Sequence, residues 1–561
     1  IRNGEGMIAG QSAVNLEGDL QNTKGVVLSE KGGVRVNSKA QIDNVGGVIQ
    51  AAQAVALNGQ GVDNSKGLIK GKNVSLNSEG YQVVNVEGAI TALNSITVNG
   101  NLNNQRGTLL SEQGDITVNS RSAVNNQQGL IHAATQATIN SQGLDNQAGT
   151  VSANRLTINS AGQQVNNQQG TIVAQQQLNM TASTLDNREG YVISKGEAQL
   201  NLDTVHNQAI SDKGSLISAN KRLTLNATTV NNQDTKAKEG EHSSQGIIAG
   251  TLEMATGLLN NQGGNLYALE NARLNVTGDV HNEGGLLYAG NQLDVLGSKQ
   301  TLIHNQDGLI EGVGGLAVEA NNFNDEGTLR SRGLGRIALQ IDDYEYNKKF
   351  DFGALDFSVN GTLTNNVNAI YDRGVIFRAK NVKNNGTIGA YDKGATQIFA
   401  TQGVENRGLI DGQFTLVKGE TIRNVGQGRI YGDYLAMEAK QIYNGAETVA
   451  SGKGTTTRAG TIAGREGLAL AFEQMTNADG ATVLSFGNTT IGRTLNEHYQ
   501  AVGKADSLDN ASGLINLMGN ARVSVSRLTN RDSHIEDLLA KNNNRISLTQ
   551  YQQHRAPGQF L

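Results

Sequence analysis

Two tetrads are the first place to look for chemistry, Tyr371-Asp372-Arg373-Gly374 and Tyr391-Asp392-Lys393-Gly394. Each sets an aromatic ring, a carboxylate and a cation in consecutive positions. Stacked on neighbouring turns, they would make a ladder of tyrosines, one of carboxylates and one of cations. Carboxylates converging from adjacent turns are what a polysaccharide-cleaving site uses, for acid/base work or to hold calcium. The flanking Arg373 and Lys393 argue against that use, because a carboxylate beside a cation stays ionised and makes a poor general acid. A corner that recurs because the chain recurs is the plain structural alternative, and binding is the functional one.

Other aromatics surround the tetrads. Tyr431 and Tyr434 follow, and Tyr344, Tyr346, Phe350 and Phe352 precede. Tyr, Phe and Arg are enriched where proteins meet. The candidate recognition set is therefore Tyr344, Tyr346, Phe350, Phe352, Tyr371, Asp372, Arg373, Tyr391, Asp392, Lys393, Tyr431 and Tyr434. Phe377, Phe399 and Phe414 lie in strand-like runs and are expected to point inward.

The rest of the catalytic inventory is thin. The eight His residues include no pair at metal-binding spacing. His281 and His304 stand at equivalent positions just before an Asn, so they are expected to stack. Asp145 and Asp186 share that register elsewhere, which reads as a generic outward polar position, and no metal or cofactor is assigned. No Gly-x-Ser-x-Gly nucleophile, phosphate-cradling loop or calcium-binding nonapeptide repeat is present.

What positions these residues is a repeat. Asn126-Gln-Gln-Gly129-Leu-Ile131-His-Ala133 returns as Asn146-Gln-Ala-Gly149-Thr-Val151-Ser-Ala153, then as Asn167-Gln-Gln-Gly170-Thr-Ile172-Val-Ala174. The unit comes back roughly every 20 residues, the mark of a stacked architecture. Asn anchors run from Asn3 through Asn207 and resume at Asn232, Asn261, Asn282, Asn305 and Asn324. Each unit holds about three short segments of alternating polarity, as in Thr171–Ala174, Gln177–Met180 and Thr184–Asp186, which is strand periodicity. Three strands in so few residues must pair with their counterparts in the next turn, in parallel and in register. The fold class is all-β, a right-handed parallel β-helix solenoid. Asn amides should bond along the axis, and Gly and Asn at corners should supply positive φ. About sixteen such coils at roughly 4.8 Å each make a rod on the order of 80 Å. A charged insertion lengthens one corner, Asn232 to Gly246.

Near residue 340 the pattern changes. Of 23 Tyr and Phe residues, 18 lie beyond it. Coils persist less regularly at Asn384, Asn406, Asn424, Asn477 and Asn510, with insertions at 447–460 and 494–507. Two domains are expected, a regular stalk over 1–340 and an irregular, decorated β-helical domain over 341–561. Ser533-His-Ile-Glu536 is a capping box and predicts a short helix near 533–541.

Composition narrows the functions. The 561 residues contain no Cys, one Pro, 70 Gly and only 4% aromatics, with a net charge of −5. Interspersed charge leaves no footprint for nucleic acid. No run approaches the length of a membrane span, so this chain inserts no segment of that kind. Opening at Ile1-Arg-Asn3-Gly-Glu-Gly6, already inside a repeat, it reads as an internal piece of something longer.

The unit Asn-x-x-Gly-x-Ile-x-Ala, followed by Leu-x-Leu and Leu-x-Asn, resembles the haemagglutinin repeat of filamentous haemagglutinin-type exoproteins. These include the CdiA-type toxin-delivery proteins of contact-dependent growth inhibition. The resemblance runs closely over 3–335 and more loosely over 341–530. It implies a non-enzymatic, secreted fibre at the surface of a Gram-negative bacterium, exported by an outer-membrane transporter partner. It further implies a regular repeat region followed by a region that meets a receptor, protein or glycan, on a target cell's outer membrane. A host-cell or glycan-binding adhesin is the alternative, and a polysaccharide-degrading enzyme acting through Asp372 and Asp392 is a third.

Overall fold

Two compact units divide the chain, Ile1–Gly333 and Leu334–Leu561, and each winds as a right-handed parallel β-solenoid, about 24 turns in all. This computed structural model describes residues 1–533 apart from 161, 212–213, 237–243, 392–393 and 452–453. Every regular element among them is a strand. The helix expected near 533–541 lies, beyond Ser533, outside the described residues, as does the middle of the charged insertion.

One coil of the first unit explains the rest. Strand Thr150–Asn159 buries Val151, Ala153, Leu156 and Ile158 and turns the residues between them outward. The Val165–Asn166 strand closes the third side. Parallel pairing sets Ile131 beside Val151 and Val151 beside Ile172, so aliphatic side chains stack in columns sealed from solvent. Burying each such side chain contributes about 1.5–3 kcal/mol. The expected separate segments Thr171–Ala174 and Gln177–Met180 are one bent strand, Thr171–Thr181. Their corner, Gln175-Gln176, carries no breaker. Where Lys195-Gly196 stands at the same place, the strand does divide, into Tyr191–Ser194 and Glu197–Asn201.

The Asn anchors form the spine, and they lie inside. Asn126 donates through Nδ2 to Asn146 Oδ1 at 2.7 Å, and Asn146 donates likewise to Asn167. The same Nδ2 of Asn146 reaches the carbonyls of Gly149 and Thr171, at 3.2 and 3.3 Å. Both carbonyls demand a donor, so the amide's orientation is fixed and every rung points the same way. The chain of amides runs from Asn3 to Asn305, where Asn305 donates instead to the Glu326 carbonyl. Asn324, expected as the next anchor, is exposed. Phe323 still pairs with Ile303 before the register shifts, so Asn324, one residue past a buried ring, falls in the outward register of His304 and bonds to it.

Glycine has a different task at these corners from the one expected. The left-handed residue is the one before Gly, and it is usually not glycine: Gln128, Ala148 and Gln169 have φ of 55°, 53° and 55°. Gly149 itself is required by closeness, since a Cβ there would stand 2.1 Å from the Asn126 carbonyl oxygen.

The second unit keeps the spine and changes the filling. Its amides run Asn365, Asn384, Asn406, Asn424, Asn444, Asn477, Asn510 and Asn530. One coil earlier the same register holds Tyr346, paired with Asn365, and the Asn365 Oδ1 is buried without a partner. The insertion expected at 447–460 is an antiparallel hairpin in which Ala446 to Ser451 pair with Gly454–Ala459. Arg407 clamps its base through two 2.8 Å bonds to Glu447. The other insertion, at 494–507, pairs Thr494–Leu495 with Ala501–Val502, also antiparallel.

Candidate functional site

Most of the outer surface of the coils repeats, so a site should be sought where the repetition fails. In the second unit a cleft of about 320 Å³ is lined by Tyr391, Asp411, Gln413, Asp433 and Arg465, with Ile370 and Leu409 among its apolar neighbours. Coil register builds it. Ile410 pairs with Ile430 and Phe414 with Tyr434, which sets Asp411 and Gln413 on one turn beside Asp433 on the next. Arg465 comes from the turn after that, where pairing is irregular between Gly432 and Tyr434.

Arg465 ties the two carboxylates together. It donates to Asp411 Oδ1 through Nη1 at 3.0 Å and Nη2 at 2.7 Å, and to Asp433 Oδ1 through Nε at 2.9 Å. Burial holds the Asp411 carboxyl above its ordinary range. Arg465 and the Gly412 N–H oppose this, while Asp433 adds to it. Tyr391 is 61% exposed, so its ring borders the cleft with an open face. The arrangement is one apolar plate beside fixed donors and acceptors, suited to holding a polar ligand that also has an apolar face.

The sequence-predicted residues scatter. Tyr346, Phe350, Phe352 and Tyr371 are buried and form an aromatic core with Phe357 and Phe377. Their rings are closed to any partner. Tyr346 and Tyr371 share a hydroxyl–hydroxyl bond, and the Phe350 N–H donates to Tyr371 at 3.2 Å. Burial pushes the Tyr371 hydroxyl up to about 12 and that of Tyr346 higher still. Tyr344 is half-buried against Phe357. Asp372 and Arg373 are exposed, and Tyr431 is half-buried. Asp392 and Lys393 lie outside the described residues.

The expected tyrosine ladder does not form. Tyr371 pairs with Ala390 and Gly374 with Ala395, so the second corner is longer. Tyr371 falls inward and Tyr391 outward. Phe377 points inward as expected, whereas Phe399 and Phe414 are only partly buried, on the outer face. Arg378 covers Phe399. Phe414 and Tyr434, with Leu495 of the second hairpin, pack over Leu416 and Ala436. Tyr434 donates to the Tyr499 carbonyl at 3.0 Å, so it holds that hairpin in place.

Asp411, Gln413, Asp433 and Arg465 were missed. Their one sequence signal is alignment on the anchors Asn424, Asn444 and Asn477, which sets Asp411 and Asp433 on successive turns.

Comparison with known families agrees with the geometry. The haemagglutinin repeat model matches residues 151–203, 193–243, 247–309 and 425–494, thus within both units. No curated protein and no solved structure matches the chain. The repeats point to a secreted, cell-surface filament with a structural or adhesive role. The stacked parallel coils of this chain carry haemagglutinin repeats of the filamentous haemagglutinin type.

Proposed function

We propose that this chain is a fibre segment of a contact-dependent exoprotein, in which 1–340 is a structural stalk and 341–561 recognises the surface of a target cell. The observation that carries this reading is the cleft of Tyr391, Asp411, Gln413, Asp433 and Arg465, a non-repeating mixture of ring, acid, amide and cation. Export through an outer-membrane transporter and delivery of a toxin belong to the same proposal and rest on the resemblance of the repeats.

A glycan-binding adhesin is the second reading, favoured by the exposed Tyr391 ring beside paired carboxylates and an amide. Binding of the full chain to target cells separates the two. Loss of binding after protease treatment of the cells supports a protein receptor, and competition by free glycans supports the adhesin. In either case Tyr391→Ala with Arg465→Ala should weaken binding at least tenfold. Undiminished binding would remove the cleft from the account.

A further inference from the structure

We propose that Asp279, His281 and His304 form a binding site for a zinc-class divalent cation on the outer face of the first unit. One carboxylate oxygen of Asp279 and one nitrogen of each imidazole lie within 4.8 Å of one another. The solenoid makes this juxtaposition. His281 pairs directly with His304 on the next coil, and their rings stack with centroids 4.5 Å apart and planes 15° from parallel. Asp279 precedes His281 by two positions, so strand alternation puts both side chains on the same outward face. All three are partly buried, which shields the group from competing water without closing it to an ion.

The surroundings supply the outer support that metal-bound histidines use. His281 Nδ1 meets Glu283 Oε1 at 3.2 Å, and the second Glu283 oxygen is buried with no hydrogen-bond partner. That carboxylate orients the ring, leaves Nε2 for a ligand and offsets the charge an ion brings. His304 Nδ1 is engaged by the Asn324 side chain at 3.0 Å. Asn324 donates here through Nδ2, so binding at His304 Nε2 needs its exposed amide to turn over and accept instead. Asp279 Oδ1 takes the Leu302 N–H at 3.0 Å, which fixes the carboxylate and leaves Oδ2 available.

Two imidazoles and one carboxylate are a zinc-type donor set, with bonds of about 2.0–2.2 Å and a fourth position for water. Donors on one tetrahedral ion lie closer together than stacked rings allow, so binding tilts the two imidazoles towards each other. The ion then ties two successive coils together. Upstream the register mostly holds Asn and Asp: Asp145, Asn166 and Asp186 follow one another, a single His206 stands between Asp186 and Asn231, and Asn260 pairs with His281. Two histidines in succession mark this pair of coils out.

That same register supplies a variant that keeps the fold. His281→Asn combined with His304→Asn restores the residue found in neighbouring coils and removes both imidazoles. Calorimetric titration of the full chain with Zn2+ should give one site per chain, and Co2+ should give the visible absorption of a four-coordinate ion. Both signals should vanish in the double variant, with its metal-free thermal midpoint unchanged, and Asp279→Asn should weaken binding about tenfold or more. Absence of stoichiometric binding in the wild-type chain, or equal binding by the double variant, would overturn the proposal.

Discussion

The coils around Asn146 and the opening of the second unit around Tyr346 solve the same packing problem with different side chains. In the first, a buried amide at each turn satisfies its neighbours above and below, and Val, Ile and Leu fill the rest. In the second, Tyr346 takes the amide's register and its hydroxyl turns to Tyr371, with Phe350, Phe357 and Phe377 packed against the Tyr346 ring. Aromatic enrichment therefore has two meanings in a solenoid. It marks a coil whose interior is filled by rings as readily as one whose exterior meets a partner, and only the register tells them apart.

The largest expected effect comes from the tightest point of the regular coil. Gly149→Val drives a side chain against the Asn126 carbonyl and should cost more than about 4 kcal/mol. Chemical denaturation followed by circular dichroism measures it, with loss of hydrogen-exchange protection centred on the coils of Asn126 and Asn146. Tyr346→Asn comes next. It offers a donor to the Asn365 Oδ1 yet empties the aromatic core, and should cost about 3–5 kcal/mol, as large-to-small core changes do. Equal stability would mean that the amide spine outweighs the rings.

Asn146→Ala removes one rung and leaves Asn167 Oδ1 without its donor. With each orphaned buried group costing about 1–3 kcal/mol, a loss of about 2–4 kcal/mol is expected. Asn140→Ala, at an exposed amide bonded to Asn119, should cost under about 0.5 kcal/mol. Equal losses at Asn146 and Asn140 would deny the inner spine its special part.

pH gives the most local comparison. Tyr371 has a raised hydroxyl pKa of about 12 in the fold. Its neutral form stabilises the second unit fully below the ordinary value near 10, and that contribution disappears as pH rises through about 12. In the first unit the sign is opposite. Burial alone would raise the Asp186 carboxyl, but bonds from Arg188 and Gln168 prevail and hold it below its ordinary value. Its contribution is present above the usual carboxylate pKa and is lost as pH falls through the depressed one. Alkaline and acid denaturation, each repeated with Tyr371→Phe or Asp186→Asn, should remove one transition component and spare the other.

Much of the fold was legible because periodicity is written directly in the residues. Asn126, Asn146 and Asn167 announce their coils, the alternation in Thr171–Ala174 announces a strand, and a stack of like residues announces amide bonding. The glycine role was misread because a corner formula does not say which residue bends the backbone and which must merely be small. The site was less legible for a related reason. Tyr371 and Tyr391 sit in look-alike tetrads, but one corner is longer, and the alternation then sends one ring inside and the other out. Asp411, Asp433 and Arg465 come from three successive turns, and no local pattern links them.

The central functional claim is that the non-repeating cleft of the second unit carries recognition. Its most direct test is the affinity of the full chain for target cells, compared with that of the Arg465→Ala and Tyr391→Ala variants and of an exposed first-unit control, Asn140→Ala. The account predicts at least a tenfold loss for each cleft variant and none for the control. Equal affinity across all of them would contradict it.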